Sequence, residues 1–151
     1  MSVRVAERGA SRTEYLEAAR KLAVDVSQIT ANGPKKYRAS HGDHMVQTAL
    51  KIYEHVQIAQ SIYVAKGANM ERDHAQRRWH LKEAKGLANH LCGIADVYFA
   101  LVMKCDGCDK KKAVARLERI GKQCARLVKL LGGVMDWDSN HIRKLKVASS
   151  G

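Results

Sequence analysis

Between Asp109 and Lys129 the chain reads DKKKAVARLERIGKQCARLVK, with eight lysines and arginines against two acids. Val114, Leu117, Ile120, Cys124, Leu127, Val128 and, just beyond, Leu131 recur at three- and four-residue spacing. That is the period of one face of an α-helix. One face of this helix is therefore built for burial, and the opposite face is cationic. Such a helix belongs to a packed helical protein that meets an anionic partner, nucleic acid first among them. The competing reading is a solvated face that keeps the protein in solution.

The charge balance outside this stretch sharpens the contrast. The 151 residues carry a formal net charge of +12, and residues 109–151 hold eleven basic and four acidic groups. More than half of the excess thus sits in the last third of the chain. A chain of this length fits one domain with a sizeable core. No apolar run approaches the length of a membrane span, and the N-terminal MSVRVAERGASRTEY lacks the apolar segment of a secretory signal. Four cysteines, Cys92, Cys105, Cys108 and Cys124, do not make a disulfide scaffold at this length. Cys92 and Cys124 fall in helical apolar patterns and read as small core residues. A reducing, cytoplasmic setting is the expectation.

Three more helices precede the basic one. The first opens with Ser11-Arg12-Thr13-Glu14, a capping-box pattern, and Tyr15, Leu16, Ala19, Leu22, Ala23, Val26 and Ile29 mark its inner face. Gly33-Pro34 ends it. The second is predicted over about residues 39–66, with Met45, Val46, Ala49, Ile52, Tyr53, Val56, Ala59 and Tyr63 inward. Gly67-Ala68-Asn69 breaks the chain, and Asn69 is a candidate cap for a third helix over about residues 70–104. There, Ala75, Trp79, Ala84, Leu87, Leu91, Ile94, Tyr98 and Leu101 face inward. Asp109 caps the fourth helix, and Gly132-Gly133 ends it. The pattern predicts an all-α fold, an up-down-up-down four-helix bundle. Residues 1–10 are expected to form a flexible N-terminus, 11–135 the bundle, and 136–151 a basic tail with disordered last residues.

Taken in order, several stretches carry a family resemblance. They are YLEAARKLAVDVSQIT, the Pro34-Lys35-Lys36-Tyr37 turn, QTALKIYEHVQIAQSI, ERDHAQRRWHLKEAKGLANHL, and RLVKLLGGV before a tryptophan. Over roughly residues 14–135 the chain resembles the accessory variability proteins of diversity-generating retroelements. Their relatives are the proteins encoded in bacterial 23S ribosomal RNA intervening sequences. The ribosomal branch usually carries S-I-x-x-N-I-A-E-G in its second helix. This chain has SIYVAKG at residues 61–67, without that Asn and Glu, which favours the retroelement branch. The resemblance implies a role without catalysis. It implies a homo-oligomer, a pentameric barrel with a basic exterior, that binds a reverse transcriptase and its template RNA and supports mutagenic cDNA synthesis. The other branch implies a ribosomal-RNA-associated bundle without a polymerase partner.

Several lysines and arginines on one face give affinity for phosphates through counterion release, without base reading. The leading contacts are Lys110, Lys111, Lys112, Arg116, Arg119, Lys122, Arg126 and Lys129. Arg72, Arg77, Arg78, Lys82 and Lys85 make a second ridge, interleaved with Glu71, Asp73 and Glu83, so intrahelical ion pairs account for it equally well. Arg143 and Lys144 add a basic tail. Trp79 is expected in the core, with base stacking as the alternative. Cys105-x-x-Cys108 is half a zinc site or a redox pair. In an up-down bundle, His41 and His44 would lie at the same end and could complete Cys2His2 ligation. Two exposed loop cysteines and two surface histidines are the simpler account. Glu71-x-x-His74 is the single Glu-x-x-His match, short of the two that a ferritin-like di-metal site needs. No Walker-type loop or nucleophile elbow is present.

Overall fold

Four long helices carry the chain: α1 spans Ser2–Ala31, α2 Asp43–Ser61, α3 Met70–Val102 and α4 Lys110–Ser150. The structure is a computed structural model that describes the backbone of residues 2–150 and the side chains of residues 13–148. No strand occurs among the described residues, and the fold is all-α. A helical turn, Lys35–Tyr37, and a π-helical turn, Arg38–Gly42, join α1 to α2. Helix α1 packs against α2 and α4, and α3 packs against the same two, so the four close into a ring around one core. Among the described residues, no helix is long and apolar enough to cross a membrane.

The core follows from the apolar spacing. Tyr15, Leu22 and Val26 enter it from α1, and Met45, Ile52 and Val56 from α2. Leu81, Leu91, Tyr98 and Phe99 enter from α3, and Ile120, Leu127 and Leu131 from α4. Ala19, Ala49, Ala59, Ala84, Ala88 and Ala95 are also buried. Their small side chains let neighbouring axes approach closely while larger residues interdigitate between them. Gly33 serves the same end in a loop. A Cβ there would lie 1.9 Å from the Tyr98 hydroxyl, so only glycine lets Tyr98 close against the first connection.

Helix ends differ from the sequence expectation in four places. Ser11 lies inside α1, which begins at Ser2. Helix α2 is shorter than residues 39–66: the π-helical turn occupies Arg38–Gly42, and Ile62 is extended (φ −85°, ψ 109°). The Ser61 hydroxyl donates to the Ile58 carbonyl at 2.6 Å, giving that terminal acceptor a partner. Tyr63 therefore leaves the inner stripe and is 78% exposed. Asn69 makes no side-chain cap; its carbonyl accepts from the Asp73 amide at 2.9 Å.

The fourth difference is the largest. Helix α4 runs through Gly132-Gly133 to Ser150, over residues expected to form a separate basic tail. Its inner stripe continues through Met135, Asp138 and Ile142, all buried. Two glycines cost a helix about 1 kcal/mol each relative to alanine. Burying Met135 and Ile142 offsets that at about 1.5–3 kcal/mol per side chain. Ion pairs to α3 add to it. A Cβ at Gly132 or Gly133 would meet nothing within 4 Å. The Gly132→Ala/Gly133→Ala variant is therefore expected to be more stable by about 1–2 kcal/mol, read as a higher urea midpoint. A lower midpoint would mean that the helix needs flexibility at this point.

Candidate nucleic-acid interface

Helix α4 starts where Asp109 caps it: the Asp109 Oδ1 accepts from the Lys112 amide at 3.2 Å. A carboxylate there also complements the positive end of the helix dipole. Downstream, Ala113, Ile120, Cys124, Leu127 and Leu131 turn inward. Lys110, Lys111, Lys112, Lys122 and Lys129 are exposed on the outer side. Among the described residues, these five lysines make no ion pair.

The two exposed arginines between them behave differently. Arg119 donates to Asp25 Oδ2 at 2.9 Å, and Gln123 donates to the same oxygen at 2.6 Å. Asp25 is buried, so its carboxylate depends on those two donors. Arg126 donates to Glu14 Oε1 at 3.0 Å. Both arginines thus hold α4 to α1 and keep part of their guanidinium surface in solvent. Arg116 is half-buried and helps line a cavity of about 320 Å³ between the two connections.

Cations recur along this face. Arg119 and Lys122 are three residues apart, Lys122 and Arg126 four, and Arg126 and Lys129 three. Like charges at such spacing cost a helix about 0.2–0.5 kcal/mol per pair, part of which Asp25 and Glu14 offset at Arg119 and Arg126. A polyanion laid along the face would relieve that cost and release its own counterions.

The second ridge is divided: Lys82 is exposed and Lys85 half-buried, neither in an ion pair among the described residues, while its arginines are held by neighbours. Arg77 is buried, not a surface contact: its Nε donates to Asp138 Oδ2 at 2.6 Å and its NH1 to the Ala59 carbonyl at 2.7 Å. The nearby Asp138 holds its guanidinium pKa above the ordinary value despite desolvation by burial. Arg78 donates to Ser139 Oγ at 3.1 Å, and Arg72 pairs with Asp73 at 3.5 Å. Arg143 and Lys144 are exposed on the last turns of α4. Nearby, Lys146 meets Glu71 at 2.8 Å.

Trp79 is not in the core; it is 54% exposed, edge-on to His55 and His80. The four zinc candidates are not brought together, and no group of three or more metal-ligating residues forms among the described residues. Cys105 and Cys108 line the 320 Å³ cavity. His41 instead meets Ser40 Oγ at 2.9 Å, and His44 lies edge-on to His90. The Cys105 Sγ donates to the Leu101 carbonyl at 3.7 Å, a helix-end contact. Cys124 is a buried thiol as expected. Burial, and then the neighbouring Cys92, push its pKa well above the usual thiol range, so it is no nucleophile.

Sequence reasoning missed the Arg77–Asp138 pair and the His55–His80 contact, whose members are 61 and 25 residues apart. It also missed a cavity of about 180 Å³ where α4 meets the α2–α3 connection. His74 lines that cavity, its Nε2 buried without a hydrogen-bond partner and its pKa lowered by burial. No local signal marks such contacts, because they depend on the register between helices. No family model matches this chain, and neither a curated protein nor a solved structure matches it.

Proposed function

We propose that this chain is a non-catalytic, nucleic-acid-binding helical bundle whose α4 face takes the phosphate backbone of RNA. The observation that carries this reading is the set of five exposed lysines that make no ion pair among the described residues, on a helix whose other side is core. Exposed lysines without acidic partners leave the face free to take an anionic ligand. The resemblance extends the reading: the partner protein is a reverse transcriptase, and the nucleic acid is its template RNA and the cDNA copied from it. The same resemblance makes the assembly a homo-oligomer, a pentamer, of up-down-up-down bundles. The α1–α2 and α3–α4 connections lining one cavity support that topology.

A tagged pull-down from the native host, half treated with nuclease, tests the reading. A reverse transcriptase recovered in both halves is the expected result. Ribosomal RNA and ribosomal proteins recovered only without nuclease would replace it with the ribosomal-RNA-associated reading, which has no polymerase partner.

A further inference from the structure

On the α2–α3 seam, remote from the lysine face in sequence, His55 Nδ1 and His80 Nδ1 face each other at 2.9 Å. Their ring centroids are 5.2 Å apart, and both side chains are half-buried. Two neutral imidazoles hold this geometry around one shared proton, one nitrogen donating and the other accepting. A dication cannot sit on the line between the nitrogens as that proton does; it would lie to one side, with each ring turned so that its lone pair points at the metal. With metal–nitrogen bonds of about 2.0–2.1 Å, a nitrogen separation of 2.9 Å subtends about 90° at the metal. That angle is the cis edge of square-planar or tetragonal coordination, the preference of Cu(II) and Ni(II), whereas a tetrahedral ion would need the pair opened by about 0.4 Å.

We propose that His55 and His80 form a two-imidazole chelate for a tetragonal divalent transition metal, Cu(II) or Ni(II), that clips α2 to α3. Water fills the remaining positions, because no third protein ligand joins the pair among the described residues. The site differs in place and ligand set from the Cys105/Cys108 motif.

Trp79 supplies the test, since its ring lies 5.6 Å from that of His55 and 4.9 Å from that of His80. Cu(II) bound between the histidines quenches its fluorescence. The titration uses the full chain carrying Trp137→Phe, so that Trp79 is the one tryptophan left. The expected result is saturable quenching at one equivalent of copper. The midpoint rises at least about tenfold in His55→Ala and in His80→Gln, as even losses outside the ligand shell cost ten- to a hundredfold. Both variants should keep the parent's helicity, since both side chains are partly exposed. A second readout is the melting temperature, raised by Ni(II) in the parent and unmoved in both variants. Quenching with the parent's midpoint in either variant, or no saturable quenching in the parent, would overturn the proposal.

Discussion

Replacing Asp138 with alanine is expected to lower the folding free energy by about 3–5 kcal/mol, the cost of leaving a buried charge without its partner. The carboxylate side chain is 6% exposed and that of Arg77 is 10% exposed, at 2.6 Å. Both groups line the 180 Å³ cavity where α4 meets the α2–α3 connection, and little of either side chain is exposed. The Ala59 carbonyl would remain as a partner of Arg77, but a carbonyl does not neutralise a guanidinium. In a chain of this size the loss corresponds to a melting temperature lower by roughly 10 °C. Urea denaturation should give a lower midpoint at unchanged slope. The double variant Arg77→Met/Asp138→Leu separates charge from packing. With both partners replaced by apolar groups of similar volume, most of the lost stability should return. A loss below about 1 kcal/mol in Asp138→Ala would mean that water solvates this pair as it does a surface one.

The lysine face yields an opposite pattern. Lys111→Glu/Lys112→Glu/Lys122→Glu/Lys129→Glu should leave the fold intact and weaken RNA binding severely. Each lost phosphate contact lowers the slope of log affinity against log salt by about 0.7–0.9, so four should lower it by roughly 3. The four lysines make no ion pair among the described residues, and their reversal removes like-charge neighbours on α4. The melting midpoint should therefore hold or rise as affinity falls. Arg119 and Arg126 are left out because they bond to Asp25 and Glu14; reversing them would loosen α1 and blur the result. Equal affinity and an equal salt slope in the variant would move the RNA surface off α4.

Much of this was legible in the chain. The stripe from Tyr15 to Val26, Ala84 on α3 and the cap at Asp109 are local patterns, and each did in the fold what its spacing implied, whereas Ala75, expected inward, is exposed. The end of α4 was not legible, because Gly132-Gly133 is a strong local stop and the burial of Asp138 is a long-range event. Arg77 and Arg78 illustrate the same limit. Adjacent in sequence, they part by about 100° around a helix, so one lies inside against Asp138 and the other lies at the margin. Trp79 was misplaced for a related reason: the stripe from Leu81 to Tyr98 passes beside it, and residue type alone argued for burial. Of the candidate interface, the lysines were legible, but the ties of Arg119 and Arg126 to α1 were not.

The unbroken course of α4 sets the phase of everything it carries. Lys111 and Lys144 are 33 residues apart. On a continuous helix that is about 50 Å of length and about 60° of rotation. The two ends of the basic array therefore look out on the same side, at a fixed spacing, like marks on a ruler. A ligand that touches both must stay straight over that distance, as a duplex does, whereas a small folded loop can occupy only one end. A break at Gly132-Gly133 would have left the two marks free to swivel; on the continuous helix, a ligand bound along both ends would be selected by its length and stiffness.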